Sequence, residues 1–158
     1  MLPADRRLRL TLECDGAARG NPGPAGIGVV ILDPAGQVVA EIAEGIGVAT
    51  NNVAEYTAAL RGMEQALELG ATEVEVRSDS RLLVEQLSGR YRVKNPTLQR
   101  LHAEVRSVAS AFERVTYEHV PRTRNVAADR LANLGVDAWL AEQDVSRTPR
   151  REVEGEPR

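Results

Sequence analysis

The stretch Leu8-Arg9-Leu10-Thr11-Leu12-Glu13-Cys14-Asp15-Gly16 decides the fold. Leu8, Leu10, Leu12 and Cys14 fall on one side of a period of two, and Arg9, Thr11, Glu13 and Asp15 on the other. That alternation is a half-buried β-strand, and it ends on an acid followed by a glycine. Beyond it, Gly16 to Gly26 is rich in glycine and proline and reads as a loop. Gly28 to Leu32 is an apolar, β-branched run. Asp33-Pro34-Ala35-Gly36 is a turn, with an aspartate able to bond its own backbone and a glycine for the tight corner. Gln37 to Ile46 returns as a third strand, so the first third is an antiparallel meander.

The period then changes. Asn52 to Leu69 fits a helix, with Val53, Tyr56, Leu60, Met63 and Leu67 on one stripe and Gly70 closing it. Thr72 to Arg77 alternates as a strand, Ser80 to Leu87 is a short helix, and Ser88 to Pro96 is a loop carrying Arg90, Arg92 and Lys94. Thr97 to Phe112 is a helix with Leu98, Leu101, Val105 and Val108 inward. Val115 to Val120 is a last strand and Pro121 to Asn125 a loop. Val126 to Leu140 is a final helix with Leu131, Leu134 and Ala138 on its stripe. The order βββαβααβα predicts an α/β fold: a five-stranded mixed sheet, an antiparallel meander plus two parallel strands, flanked by helices. Residues 1–141 are expected to form one domain. Residues 142–158, dominated by Arg, Glu and Pro, are expected to be a disordered tail or linker stub.

A chain of 158 residues is long enough to bury one core without staples. Its single cysteine, Cys14, excludes an internal disulfide framework and a cysteine-rich zinc site. There is no signal-peptide pattern and no apolar run near the roughly 18 residues of a membrane helix. A cytoplasmic, membrane-free monomer is the expectation. Lys+Arg number 20 against 23 Asp+Glu, a net charge of -3, which opposes nucleic-acid binding by bulk charge. Aromatics at 3% are too few for a base-stacking surface.

Four acids stand out, and each has an ordinary role open to it. Asp15 suits a turn before Gly16. Glu55 suits a capping box with Asn52. Asp79 suits a helix N-cap, and Asp129 suits the positive end of the last helix. Taken together they read differently. If the first and fourth strands are neighbours, Asp15 and Asp79 lie side by side, with Glu55 and Asp129 entering from two helices. Unpaired, such a cluster repels itself. A divalent cation resolves the conflict, and all-oxygen ligation suits Mg2+, with Mn2+ as the substitute. His119, ten residues before Asp129, is either a loop histidine or a proton shuttle beside that site. His102 reads as a helix-surface residue. Cys14, on the apolar side of its strand, reads as a buried, inert thiol.

Four blocks resemble type 1 ribonuclease H. They are Asp15 to Gly26 (DGAARGNPGPAG), Thr50 to Tyr56 (TNNVAEY), Ser78-Asp79-Ser80, and His119 with Asn125 to Asn133 (NVAADRLAN). The resemblance covers about Leu8 to Leu140. It implies that Asp15, Glu55, Asp79 and Asp129 hold two Mg2+ ions and that His119 aids proton transfer or product release. It implies that Asn21, Asn51 and Asn52 touch an RNA/DNA hybrid in its minor groove and that Thr50 lies near a DNA-strand phosphate. Arg122 and Arg124, with Asn125, are candidate substrate contacts. The implied activity is endonucleolytic hydrolysis of the RNA strand, leaving 5′-phosphate and 3′-hydroxyl ends. Recognition would rest on 2′-hydroxyls and groove shape rather than on base identity. The long basic protrusion of many members is reduced here to Ser88 to Pro96, which implies weaker and more salt-sensitive hybrid binding. An inactive hybrid-binding module, or another nuclease on the same fold, is the alternative.

Overall fold

The computed structural model describes residues 7–147. Five strands, β1 (Arg9–Ala18), β2 (Gly23–Leu32), β3 (Val38–Ala49), β4 (Glu73–Ser78) and β5 (Arg114–His119), form one sheet in the order β3-β2-β1-β4-β5. β1 pairs antiparallel with β2, and β2 with β3. β1 and β4, then β4 and β5, run parallel. Four helices, α1 (Asn51–Glu68), α2 (Arg81–Leu87), α3 (Pro96–Ala109) and α4 (Val126–Arg147), complete the fold. The expected mixed sheet and element order are therefore present.

The alternation in β1 does what it predicts. Leu10, Leu12 and Cys14 are buried against α1, with Tyr56, Ala59 and Met63 opposite them. α3 closes this side, packing on α1 through Leu98 and Val105. The other face of the meander is covered by α4. The tight turn at Asp33 forms as expected: its Oδ1 accepts from the N–H groups of Ala35 and Gln37, each at 2.9 Å, and Gly36 takes φ +82°.

Three readings need correction. The glycine-rich stretch from Gly16 to Gly26 is mostly strand: β1 continues to Ala18 and β2 begins at Gly23. Gly20 turns the chain at φ +96°, whereas Gly16 and Gly26 serve close approach to helices. A Cβ on Gly16 would run into the α1 backbone at Ala54 and Glu55, and one on Gly26 or Gly28 into the α4 backbone at Ala132 or Ala128. The α4 stripe also differs. Leu134 is 47% exposed and Ala138 is exposed, while Ala128, Leu131, Ala132 and Val136 face the sheet. The helix lies so close to β2 and β3 that small residues, Ala128 and Ala132, take the closest approach, with Leu131 and Val136 beside them. Finally, α4 runs on to Arg147, past the point where the apolar pattern fades. The rest of the expected tail lies outside the described residues.

The helix starts differ by one or two positions. Thr50, not Asn52, caps α1, its side chain accepting from Val53 N–H at 3.2 Å. Ser80, not Asp79, caps α2. Neither Glu55 nor Asp79 is thus spent on capping.

Candidate metal centre

The parallel register puts Cys14 of β1 opposite Ser78 of β4, so the next residues, Asp15 and Asp79, leave adjacent strands side by side. Gly16 lets the first turns of α1 come against the end of β1, which brings Glu55 onto the same edge. One carboxylate oxygen from each of Asp15, Glu55 and Asp79 lies within 4.8 Å of the others. Asp129, in the first turn of α4, lines the same open cleft of about 390 Å³ but stands outside that tight group.

Burial makes this edge electrostatically costly. Asp15 is 5% exposed and Glu55 8%. Burial, then the charge of Asp79, pushes the Asp15 carboxyl up to about 7. Glu55 is raised well above the carboxylate range by burial and by the charges of Asp15 and Asp79, against a hydrogen bond from the Gly16 N–H that favours its charged form. Ser78 Oγ, fully buried, donates to Glu55 Oε2 at 3.5 Å. The arginine ion pairs among the described residues go to other acids. Three or four convergent oxygen donors, with no cation ion-paired to them among the described residues, are the donor set a hard divalent cation takes.

Asn125 departs from expectation. It is completely buried and so cannot touch substrate. Its Nδ2 donates to the Cys14 carbonyl at 2.9 Å and reaches Asp79 Oδ2 at 3.4 Å, clamping the β1 end and Asp79 to the start of α4. Its Oδ1 is buried with no hydrogen-bond partner among the described residues. His119 ends β5 opposite Ser78, exposed, and is not among the residues that line the acidic cleft. Arg122 lines that cleft and Arg124 does not, although both sit on the same exposed 3-10 turn.

The expected contact residues gather beside the acids. Asn21, Thr50 and Asn52 line a second depression of about 250 Å³. Asn51 locks the rim: its N–H donates to Asn21 Oδ1 at 3.0 Å, and its Oδ1 accepts from Ala18 N–H at 3.1 Å. Sequence reading missed Asn95 and Thr97 on the same depression. The signal was there, because Asn95 before Pro96 is a helix start, with Asn95 Oδ1 capping Leu98 N–H at 3.0 Å. His102 was also misread. It is half-buried, bonded to the Gln86 carbonyl at 3.1 Å and edge-on to Tyr56, whose hydroxyl donates to Gln86. That network ties α2 to α1 and α3.

A mixed sheet of this order, with acids meeting where two parallel strands end, defines a ribonuclease H-like protein. Comparison with known proteins agrees. A family model described as "Reverse transcriptase-like" matches residues 13–135. Ribonuclease HI of Halobacterium salinarum is 42% identical over 133 residues, spanning 84% of this chain and 67% of that protein. A bifunctional protein of Mycobacterium tuberculosis is 51% identical over 132 residues, 83% of this chain. The chain spans only 36% of that relative's length. The crystal structure of LC11-RNase H1 in complex with RNA/DNA hybrid superposes with a TM-score of 0.80 at 43% identity, covering 83% of this chain and 99% of that one. The chain belongs to the ribonuclease HI family. Among the described residues, no helix is long and apolar enough to cross a membrane.

Proposed function

We propose that this protein is a metal-dependent endonuclease that hydrolyses the RNA strand of RNA/DNA hybrids, acting as a cytoplasmic monomer and leaving 5′-phosphate and 3′-hydroxyl ends. The observation that carries the reading is the convergence of Asp15, Glu55 and Asp79 within 4.8 Å, beside a depression lined by Asn21, Thr50 and Asn52. Asp15, Glu55, Asp79 and Asp129 are the residues that would hold Mg2+, two ions in this reading, with Mn2+ as a substitute. When bound, such a pair activates water and neutralises the leaving oxygen of a phosphodiester.

The chain's own residues supply the rest. Gly16 and Asn125 hold three of the acids together, so their mutual repulsion is built in before metal arrives. Short amides along Asn21, Asn51 and Asn52 suit the 2′-hydroxyls of a hybrid's minor groove without reading base identity. Arg122 adds a positive charge at the rim of the acidic cleft, where a phosphate would enter. His119, exposed one strand away from the acids, would serve as a proton relay rather than as a ligand. A labelled RNA/DNA hybrid incubated with Mg2+ or Mn2+ tests the activity. Cleavage of the RNA strand alone is expected, and no cleavage with either metal overturns the proposal. His119→Ala is expected to slow turnover by about 10²-fold, the scale of one general acid–base group, without abolishing it. Complete loss would mean His119 has a larger role.

The raised Asp15 carboxyl fixes a sign for stability. Its ordinary value is 3.8 and its folded value about 7, so the folded chain binds more protons between those limits. Metal-free protein is therefore expected to lose stability as pH rises from about 4 to about 7. In EDTA the Tm at pH 5 should exceed that at pH 8 by roughly 5 °C. Added Mg2+ should recover most of the loss at pH 8 and little at pH 5, because metal needs the deprotonated ligands. A Tm independent of pH in EDTA would refute this.

A further inference from the structure

Asp129 is the one acid of the set that is exposed, and besides its contact with Asp15 inside the cleft it meets a chain of contacts outside it. Asp129, Asn133 and Asp137 recur every fourth residue on α4, so their side chains stack along one face. Asn133 Nδ2 donates to the Asp129 carbonyl at 3.0 Å and reaches Asp129 Oδ1 at 3.4 Å. Arg19, from the turn between β1 and β2, lies across this face. Its Nη2 donates to Asn133 Oδ1 at 3.2 Å and to the Asn133 carbonyl at 3.3 Å, and its Nη1 pairs with Asp137 at 2.8 Å.

The guanidinium decides which way the Asn133 amide faces. An amide has one end that accepts and one that donates. Arg19 has only donors, so it holds the Asn133 oxygen and leaves the amino group facing Asp129. Without Arg19 the amide is free to turn, and its oxygen would then meet a carboxylate. Asp137 in turn neutralises Arg19 and holds it on α4 instead of releasing it towards the cleft. The pair itself is exposed, with side chains 42% and 59% accessible, so it adds little to stability. The same turn carries Asn21, which Asn51 locks to α1, so one short turn bridges the groove-reading rim and the fourth acid.

We propose that Arg19 is a positioning residue for Asp129, acting through the orientation of the Asn133 amide, and that it sets the affinity of the cleft for divalent metal rather than for nucleic acid. This rests on the reading of the acids as a metal site. The test uses Arg19→Ala, Arg19→Lys, Asn133→Ala and the Arg19→Ala/Asn133→Ala double variant. Mn2+ binding is measured without substrate by electron paramagnetic resonance, and cleavage of the hybrid is measured against Mg2+ concentration. Arg19→Ala is expected to weaken Mn2+ binding, and to raise the half-saturating Mg2+, by about tenfold, the scale of losing a residue that orients a metal ligand. The KM for hybrid at saturating metal should stay within about twofold, the mark of unchanged substrate binding. Arg19→Lys, which still donates to Asn133, should recover part of the loss, and the double variant should be no worse than Asn133→Ala alone. A raised hybrid KM with unchanged Mn2+ binding would make Arg19 a substrate contact and overturn the proposal. So would additive losses in the double variant. A parent protein that binds Mn2+ but leaves the hybrid intact would defeat the proposed activity while leaving the Arg19 assignment to the Mn2+ measurement.

Discussion

Asp79→Asn is expected to lower RNA-strand cleavage by about 10³-fold or more, on the scale of removing one indispensable catalytic group, while leaving the fold intact. The substitution is nearly isosteric, and Asp79 is only partly buried. Its contact with Asn125 Nδ2, at 3.4 Å, can be kept by the new amide's oxygen. What disappears is a charge. Because burial and the Asp79 charge hold Asp15 up at about 7, removing that charge should let Asp15 ionise at lower pH. The metal-free variant should then be at least as stable as the parent at neutral pH, since a repulsive neighbour has gone. Loss of activity with unchanged or raised Tm in EDTA is thus the signature of a site that accepts electrostatic strain in order to bind a cation. Hybrid cleavage and thermal melts check both halves. Cleavage equal to the parent's would sink the assignment of Asp79, and a large fall in Tm would show that its role is structural.

The sheet was legible because its signals are local. The β1 alternation, the Asp33 turn and the helix stripe through Tyr56 and Met63 each lie within a single element or turn, and all three appear in the structure. The acids were legible in a different way. Spacing alone left each of them an ordinary role, and only their joint placement, with the family resemblance, made a site of them. What failed to show in the sequence depends on distant partners. Glycine in a turn and glycine beneath a helix are the same letter, so Gly16 to Gly26 read as loop although the obstacles to a side chain at Gly16 and Gly26 lie on α1 and α4. Leu134 read as core because leucine at a helical period normally is, but a helix lying this close to glycine-bearing strands buries Ala128 and Ala132 instead. Asn125 read as a substrate contact because it follows the arginine loop, whereas its partner is a carbonyl 111 residues earlier. The Arg19–Asn133 bond spans 114 residues, and nothing in either neighbourhood announces the other.

Gly28→Ala is expected to be among the most damaging single-methyl changes at the described residues. Gly28 sits opposite Asp15 in the β1–β2 register, and α4 crosses directly above it. A Cβ there would occupy the space of the Ala128 carbonyl oxygen and crowd the Ala132 N–H and the Leu131 side chain. The first two are backbone atoms inside a helix, so no rotamer change relieves the overlap and the helix must lift. Overpacking of this kind costs roughly 3 kcal/mol, a fall in Tm of roughly 10 °C for a domain of this size. The functional cost should exceed the stability cost, because Ala128 immediately precedes Asp129. Lifting α4 carries Asp129 away from Asp15 and disturbs the start of the helix, where Asn125 clamps Asp79. At a temperature where the variant is fully folded, cleavage should still be reduced and the Mg2+ requirement raised. Gly36→Ala is the control. Gly36 has open space around it and only its φ of +82° to defend, so its cost should be about 1 kcal/mol of backbone strain with the Mg2+ requirement unchanged. Equal effects of the two substitutions on Mg2+ dependence would refute the view that Gly28 is the spacer setting the height of Asp129 over the site.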